Sequence, residues 1–116
     1  MTDQEISLLV AEKVMGWQHL VDGSYSDEPY YFIDAIHEPR YIEVAKWQPT
    51  TRIDQAWQVV EKMVADGWGI SIHDDWLVVF FRHDKDAQEA VDKSAARAVC
   101  IAALRAVGQE VDGGTP

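Results

Sequence analysis

The chain has 116 residues, one cysteine and a formal net charge of -10 at pH 7, from 10 Lys plus Arg against 20 Asp plus Glu. That length fits one domain with a core of its own, and one cysteine excludes both an internal disulfide framework and a multi-cysteine metal cluster. The charge argues against a protein that grips a phosphate backbone, and a hydrophobic share of 47% argues against global disorder.

The acidic opening Met1-Thr2-Asp3-Gln4-Glu5 has neither the positive nor the apolar region of a signal peptide. No apolar run approaches the roughly 20 residues of a membrane span. The expectation is a cytoplasmic protein. Thr2 and Glu5 stand in capping-box spacing, and Ile6, Leu9, Val10, Val14 and Trp17 follow at helical period, so a helix is predicted over 3–16. Residues 18–29 are polar and read as a loop made unusually aromatic by Tyr25 and the following Tyr30-Tyr31. Tyr30 to Ala35 and Tyr41 to Ala45 are strand candidates.

Pro49 precedes a second helix, with Thr51 and Asp54 in a local capping arrangement. Ile53, Ala56, Trp57, Val60, Met63 and Val64 form its apolar stripe, and Gly67 sits where the helix must end. Trp68 to His73 and Trp76 to Phe81 then read as a hairpin around a two-residue Asp74-Asp75 turn. That register pairs Ile72 with Leu77, Ile70 with Val79 and Trp68 with Phe81 on the core face. The second arm is apolar on both faces, so it needs helices on both sides of the sheet, or a second copy. Residues 82–90 read as a polar connection. A last helix, rich in alanine, runs to Val107 and ends at Gly108. The expected architecture is one α+β domain over 1–108, a small antiparallel sheet packed between helices, followed by a disordered tail over 109–116.

Three segments together resemble a known family. They are Leu9-Val10-Ala11-Glu12-Lys13-Val14-Met15-Gly16-Trp17, then Trp47-Gln48-Pro49-Thr50-Thr51 running into Ile53–Met63, then Ala98–Gly108. In this order they resemble the phage ABA sandwich domain family, small proteins of bacteriophages and prophages. The resemblance implies a sheet between helical layers, in agreement with the two-sided strand. It brings no catalytic set.

The chemistry-bearing residues do not form a convincing site. His73 and His83, with Asp74, Asp75, Asp84 and Asp86, fall at opposite ends of the hairpin, too far apart for one metal. His19 and His37 lie among scattered acids of the uncertain middle segment, where a solvated loop explains them. Cys100 sits among alanines and valines and reads as a small core residue. Glycine-rich phosphate loops and nucleophile elbows are absent. Of five tryptophans, Trp17, Trp57 and Trp68 align with apolar faces and read as core, while Trp47 and Trp76 are candidates for exposure.

The expected function is therefore a non-enzymatic accessory protein with no cofactor and no metal, acting on a host or phage protein. Its candidate interface residues are Tyr25, Tyr30, Tyr31, Trp47, His73 and Trp76. The alternative is a small-ligand binder for a nucleotide derivative, using Arg40, Arg52 or Arg82, with its pocket at a homodimer interface. The acids are spread along the chain without a block of like charge, so they do not by themselves name a partner.

Overall fold

The structure, a computed structural model, describes residues 1–21, 23, 27–33 and 40–111. Helix α1 spans Asp3–Leu9 and opens with the expected capping box. The Thr2 hydroxyl accepts from the Glu5 amide at 3.1 Å, and the Glu5 carboxylate accepts from the Thr2 amide. The coil then widens into a π-helical segment, Val10–Val14, in which the Met15 amide donates to the Val10 carbonyl at 2.9 Å. Val10, Ala11 and Val14 are all buried there.

A first antiparallel sheet follows, of β1 (Gln18–Leu20), β2 (Tyr30–Ile33) and β3 (Arg40–Glu43), in that order. Its first strand lies in the stretch expected as loop. Sequence has little chance of finding it, because three residues with two exposed side chains carry no period. The middle strand buries Tyr30 and Tyr31 on its two opposite faces.

Helix α2 spans Ile53–Ala65. The expected Thr51–Asp54 cap does not form, because Asp54 accepts from Nε and Nη2 of Arg52, both at 3.2 Å. Buried Gln55 instead fastens the preceding loop: its amide donates to the Lys46 carbonyl at 2.8 Å and its oxygen accepts from the Gln48 amide. The end is as expected. Gly67, at φ 98°, lets its own amide and that of Trp68 return to the Val64 and Met63 carbonyls, both at 3.0 Å.

The second sheet has the order β4 (Gly69–His73), β5 (Leu77–Arg82), β6 (Lys85–Val91), all antiparallel. The expected register is one residue out. Trp76 belongs to the loop, so Ile72 faces Val78 and Ile70 faces Phe80. Because side chains alternate, this slip exchanges the faces of β5: Val78 and Phe80 enter the core, while Phe81 stands half exposed on the outer face. Strand β6 occupies the stretch expected as a polar connection. It is an edge strand with one fully buried side chain, Ala90, and β5 rather than its own composition makes it a strand.

Helix α3 spans Ala95–Ala106, capped by Ser94, whose hydroxyl accepts from the Arg97 amide. It touches β5 and β6, and also α2, α1 and the π segment. Nine of its residues are buried, among them Ala98, Cys100, Ile101 and Ala102. Beyond it, Val111 is buried too, and Arg105 donates to the carbonyls of Glu89 and Val111. The packed domain thus continues past Gly108. Residues 112–116, the rest of the expected tail, lie outside the described residues. The class is α+β, with small antiparallel sheets flanked by helices.

Candidate functional site

The apolar stripe of α2 is wider than the contact available to it. Ala56, Val59, Val60 and Met63 fill the interface with α3 and the rest of the core, which leaves Ile53, Trp57 and Val64 facing solvent. The tip of the β4–β5 hairpin rises beside this exposed edge. Together they enclose a groove of about 520 Å³, walled by Ile53, Trp57, Ile72 and Trp76, with buried Ala56, Ala96 and Val99 below. Trp57 is 51% exposed and Trp76 48%, so each indole packs on one side and offers the other to solvent. Surfaces of this kind, aromatic and concave, anchor protein partners.

The hairpin tip is held in an unusual shape. Asp75 and Trp76 both have positive φ, 64° and 55°. Asp tolerates this region better than a bulky residue does, so the strain sits mainly on Trp76. The Trp76 indole lines the same groove as Trp57.

A second cavity, about 560 Å³, lies between the start of α1 and the first sheet. Tyr31, Trp47, Val44 and Pro29 are among its walls, with Asp3 and Glu28 at its polar side. Trp47 donates from Nε1 to the Ser7 carbonyl at 3.1 Å, and its ring lies edge-on to Trp17 with centroids 4.6 Å apart. Burial, and then the negative charge of Glu12, raises the Tyr31 phenol to about 12.

These positions divide the expected interface residues. Tyr30, Tyr31 and Trp47 are buried, which removes them from any presented surface: they are core aromatics of the first sheet and its neighbouring loop. Tyr25 lies outside the described residues. His73 and Trp76 are exposed, but on different faces. The His73 ring meets the Ser71 hydroxyl at 2.6 Å on the outer face of the sheet, so only Trp76 lines the groove. Its neighbours Ile53, Trp57 and Ile72 are missed by sequence reasoning, which assigns Trp57 to the core. The available signal is the excess width of the α2 stripe, since Val59 is apolar as well and one helix neighbour cannot cover so broad an arc.

The other candidates separate likewise. Arg52 is occupied by Asp54. Arg82 donates to Asp84 at 3.0 Å and lies 5.3 Å from the centroid of the Trp68 ring. Neither, nor Arg40, lines either cavity. His73 and His83 stand at opposite ends of β5, and His37 is outside the described residues. Among the described residues no three His, Cys, Asp or Glu side chains converge as a metal site would require. Cys100 is fully buried, and its thiol pKa is raised, first by burial and then by Asp3, against the opposing charge of Arg97. No helix among the described residues is long and apolar enough to cross a membrane.

Comparison with known proteins agrees with this architecture. A phage protein from Bacillus cereus ATCC 14579, known from its crystal structure, has a similar fold, with a TM-score of 0.66 at 22% identity. The alignment covers 97% of this chain and 93% of that one. No curated protein sequence matches. The family model of the phage ABA sandwich domain matches residues 8–104, which takes in the last two residues of α1, the π segment, both sheets, α2 and nearly all of α3. The chain belongs to the phage ABA sandwich domain family.

Proposed function

We propose that this phage or prophage protein is a non-enzymatic accessory protein of the host-cell cytoplasm that acts by binding another protein. The observation that carries the reading is the pairing of Trp57 and Trp76 across an apolar groove, each about half exposed. Two half-exposed indoles on one apolar groove form a patch of the kind that partners bind, and tryptophan is enriched among interface hot spots. The test is capture from phage-bearing host cells with the wild type and with a Trp57→Ala/Trp76→Ala variant, matched for folding by circular dichroism. A partner retained by the wild type and lost from the variant supports the reading. Identical retained sets from both proteins overturn it.

The small-ligand reading has in its favour the 560 Å³ cavity beside Tyr31 and Trp47. No Arg or Lys lines it. Its ligand would then be an apolar or neutral molecule rather than a nucleotide derivative, because a phosphate there would have no cation to meet.

A further inference from the structure

The groove between α2 and the hairpin tip also carries information about what fills it. We infer that its occupant is a basic amphipathic segment of another protein, lying with its apolar side against Trp57 and Trp76 and its cationic side over the rim. The inference rests on the interaction reading above and adds the chemistry of the partner. Its first support is the contrast between floor and rim. The lining is mainly apolar, with Ala56, Ala96 and Val99 buried at its base and the hydroxyl residues Thr51 and Ser94 its polar members. Acidic residues stand next to the walls along the chain: Asp54 beside Ile53, Glu61 one turn beyond Trp57, and Asp74 and Asp75 in the loop that leads from Ile72 to Trp76. Arg52 is already held by Asp54, and no Lys or Arg is among the residues that line this groove. Asp74, Asp75 and Glu61 form no ion pair among the described residues and remain open to a cationic partner.

The second support concerns the competing occupant, another copy of this chain. A two-fold dimer brings each surface patch against itself. Here it would set the three unpaired carboxylates of one rim, Glu61, Asp74 and Asp75, near the same three of its mate, within two chains that each carry -10. Like charges facing one another across an interface cost affinity, whereas a basic partner is drawn in and oriented by the same field. An apolar groove with a charged rim is the receptor half of helix-in-groove recognition.

The experiment uses two synthetic helical peptides as probes. Both carry leucine at i, i+3, i+4 and i+7. One has lysine at the remaining positions and the other glutamate. Binding is followed by tryptophan fluorescence and by the indole resonances of the protein. The lysine peptide is expected to bind the wild type, and the glutamate peptide at least about tenfold more weakly. Trp57→Ala or Trp76→Ala should weaken the lysine peptide at least about tenfold, although every carboxylate stays in place. That loss separates groove binding from general attraction to an acidic protein. Asp74→Asn/Asp75→Asn should weaken it several-fold, and raising salt should do the same. Equal binding of the two peptides, no binding of the lysine peptide, or binding indifferent to the tryptophans overturns the inference. So does a concentration-dependent dimer in sedimentation that Trp57→Ala abolishes, which makes the occupant a second copy. A captured host or phage protein that needs both tryptophans but ignores the Asp74/Asp75 change leaves the interaction reading standing and removes only the basic partner.

Discussion

Trp76 holds a backbone conformation that suits glycine, and that sets up a measurement at a single residue. A left-handed residue with a Cβ costs roughly 1–2 kcal/mol relative to glycine, whereas in ordinary helix or strand positions glycine is the less stable choice by about 0.5–1 kcal/mol. At position 76, with φ at 55°, the usual order should therefore invert. Trp76→Gly is expected to be about 1 kcal/mol more stable than Trp76→Ala in urea unfolding. Both lose the indole, so the difference isolates the backbone, and an alanine variant as stable as the glycine variant would remove the strain argument. Tyr31 offers a second test, by pH. Its phenol is raised from 10.0 to about 12 in the fold. Between those values the unfolded chain gives up the proton and the folded one keeps it. The stability this group contributes is complete below pH 10 and is lost as pH rises toward about 12. Tyr31→Phe should flatten the alkaline fall in melting temperature relative to wild type. Parallel alkaline profiles would show that Tyr31 does not titrate late.

At the scale of elements, legibility follows how much of an element's reason lies within it. Helix α2 and its Gly67 terminus are readable because period, loop composition and C-cap glycine all agree locally. Strand β6 is not, because the sequence Lys85-Asp86-Ala87-Gln88-Glu89-Ala90-Val91 has almost no β preference and forms a strand only beside β5. The hairpin register fails by one residue for a reason invisible in composition: two non-glycine residues, Asp75 and Trp76, adopt positive φ, and Trp76 joins the loop. Gly69 marks the true register after the fact, since the Phe81 ring lies where a Cβ on Gly69 would stand. The candidate groove was legible only in its Trp76 half, because the exposure of Trp57 depends on which part of α2 the other helices leave uncovered. Helix α3 is the opposite case. Its run of small and aliphatic residues announces burial around most of its girth, and the structure buries Cys100 within it. Cys100→Ser exchanges the thiol for a slightly smaller hydroxyl where an unsatisfied polar group is costly, so a loss of about 1–3 kcal/mol is expected. Thiol labelling of the native wild type should be slow. A serine variant of unchanged stability, with rapid labelling, would place the sulfur at the surface.

For the whole molecule the decisive quantity is the imbalance of 20 acids over 10 bases on a body of 42 × 28 × 23 Å. Ion pairs such as Lys62–Asp66 and Arg97–Asp3 offset some of the repulsion locally. They are exposed or partly exposed, and pairs of that kind contribute about 0–1 kcal/mol each. The unpaired excess acts over a longer range. At about 10 mM salt the screening length is about 30 Å, comparable to the molecule itself, so carboxylates on opposite sides still repel. At about 300 mM it falls to roughly 6 Å, and only adjacent charges interact. Folding draws the excess charge together, so compaction is opposed most strongly at low salt. The melting temperature should accordingly rise as sodium chloride is increased from about 10 to about 300 mM. The same salt should weaken any complex with a basic partner at the Trp57–Trp76 groove, because there the screened interaction is an attraction. Opposite salt responses of stability and binding are thus the expected signature of an acidic domain whose charge serves recognition at a cost to its own fold. A melting temperature that falls over the same range would mean that the short ion pairs outweigh the excess charge, and the long-range repulsion would have to be abandoned as a feature of this fold.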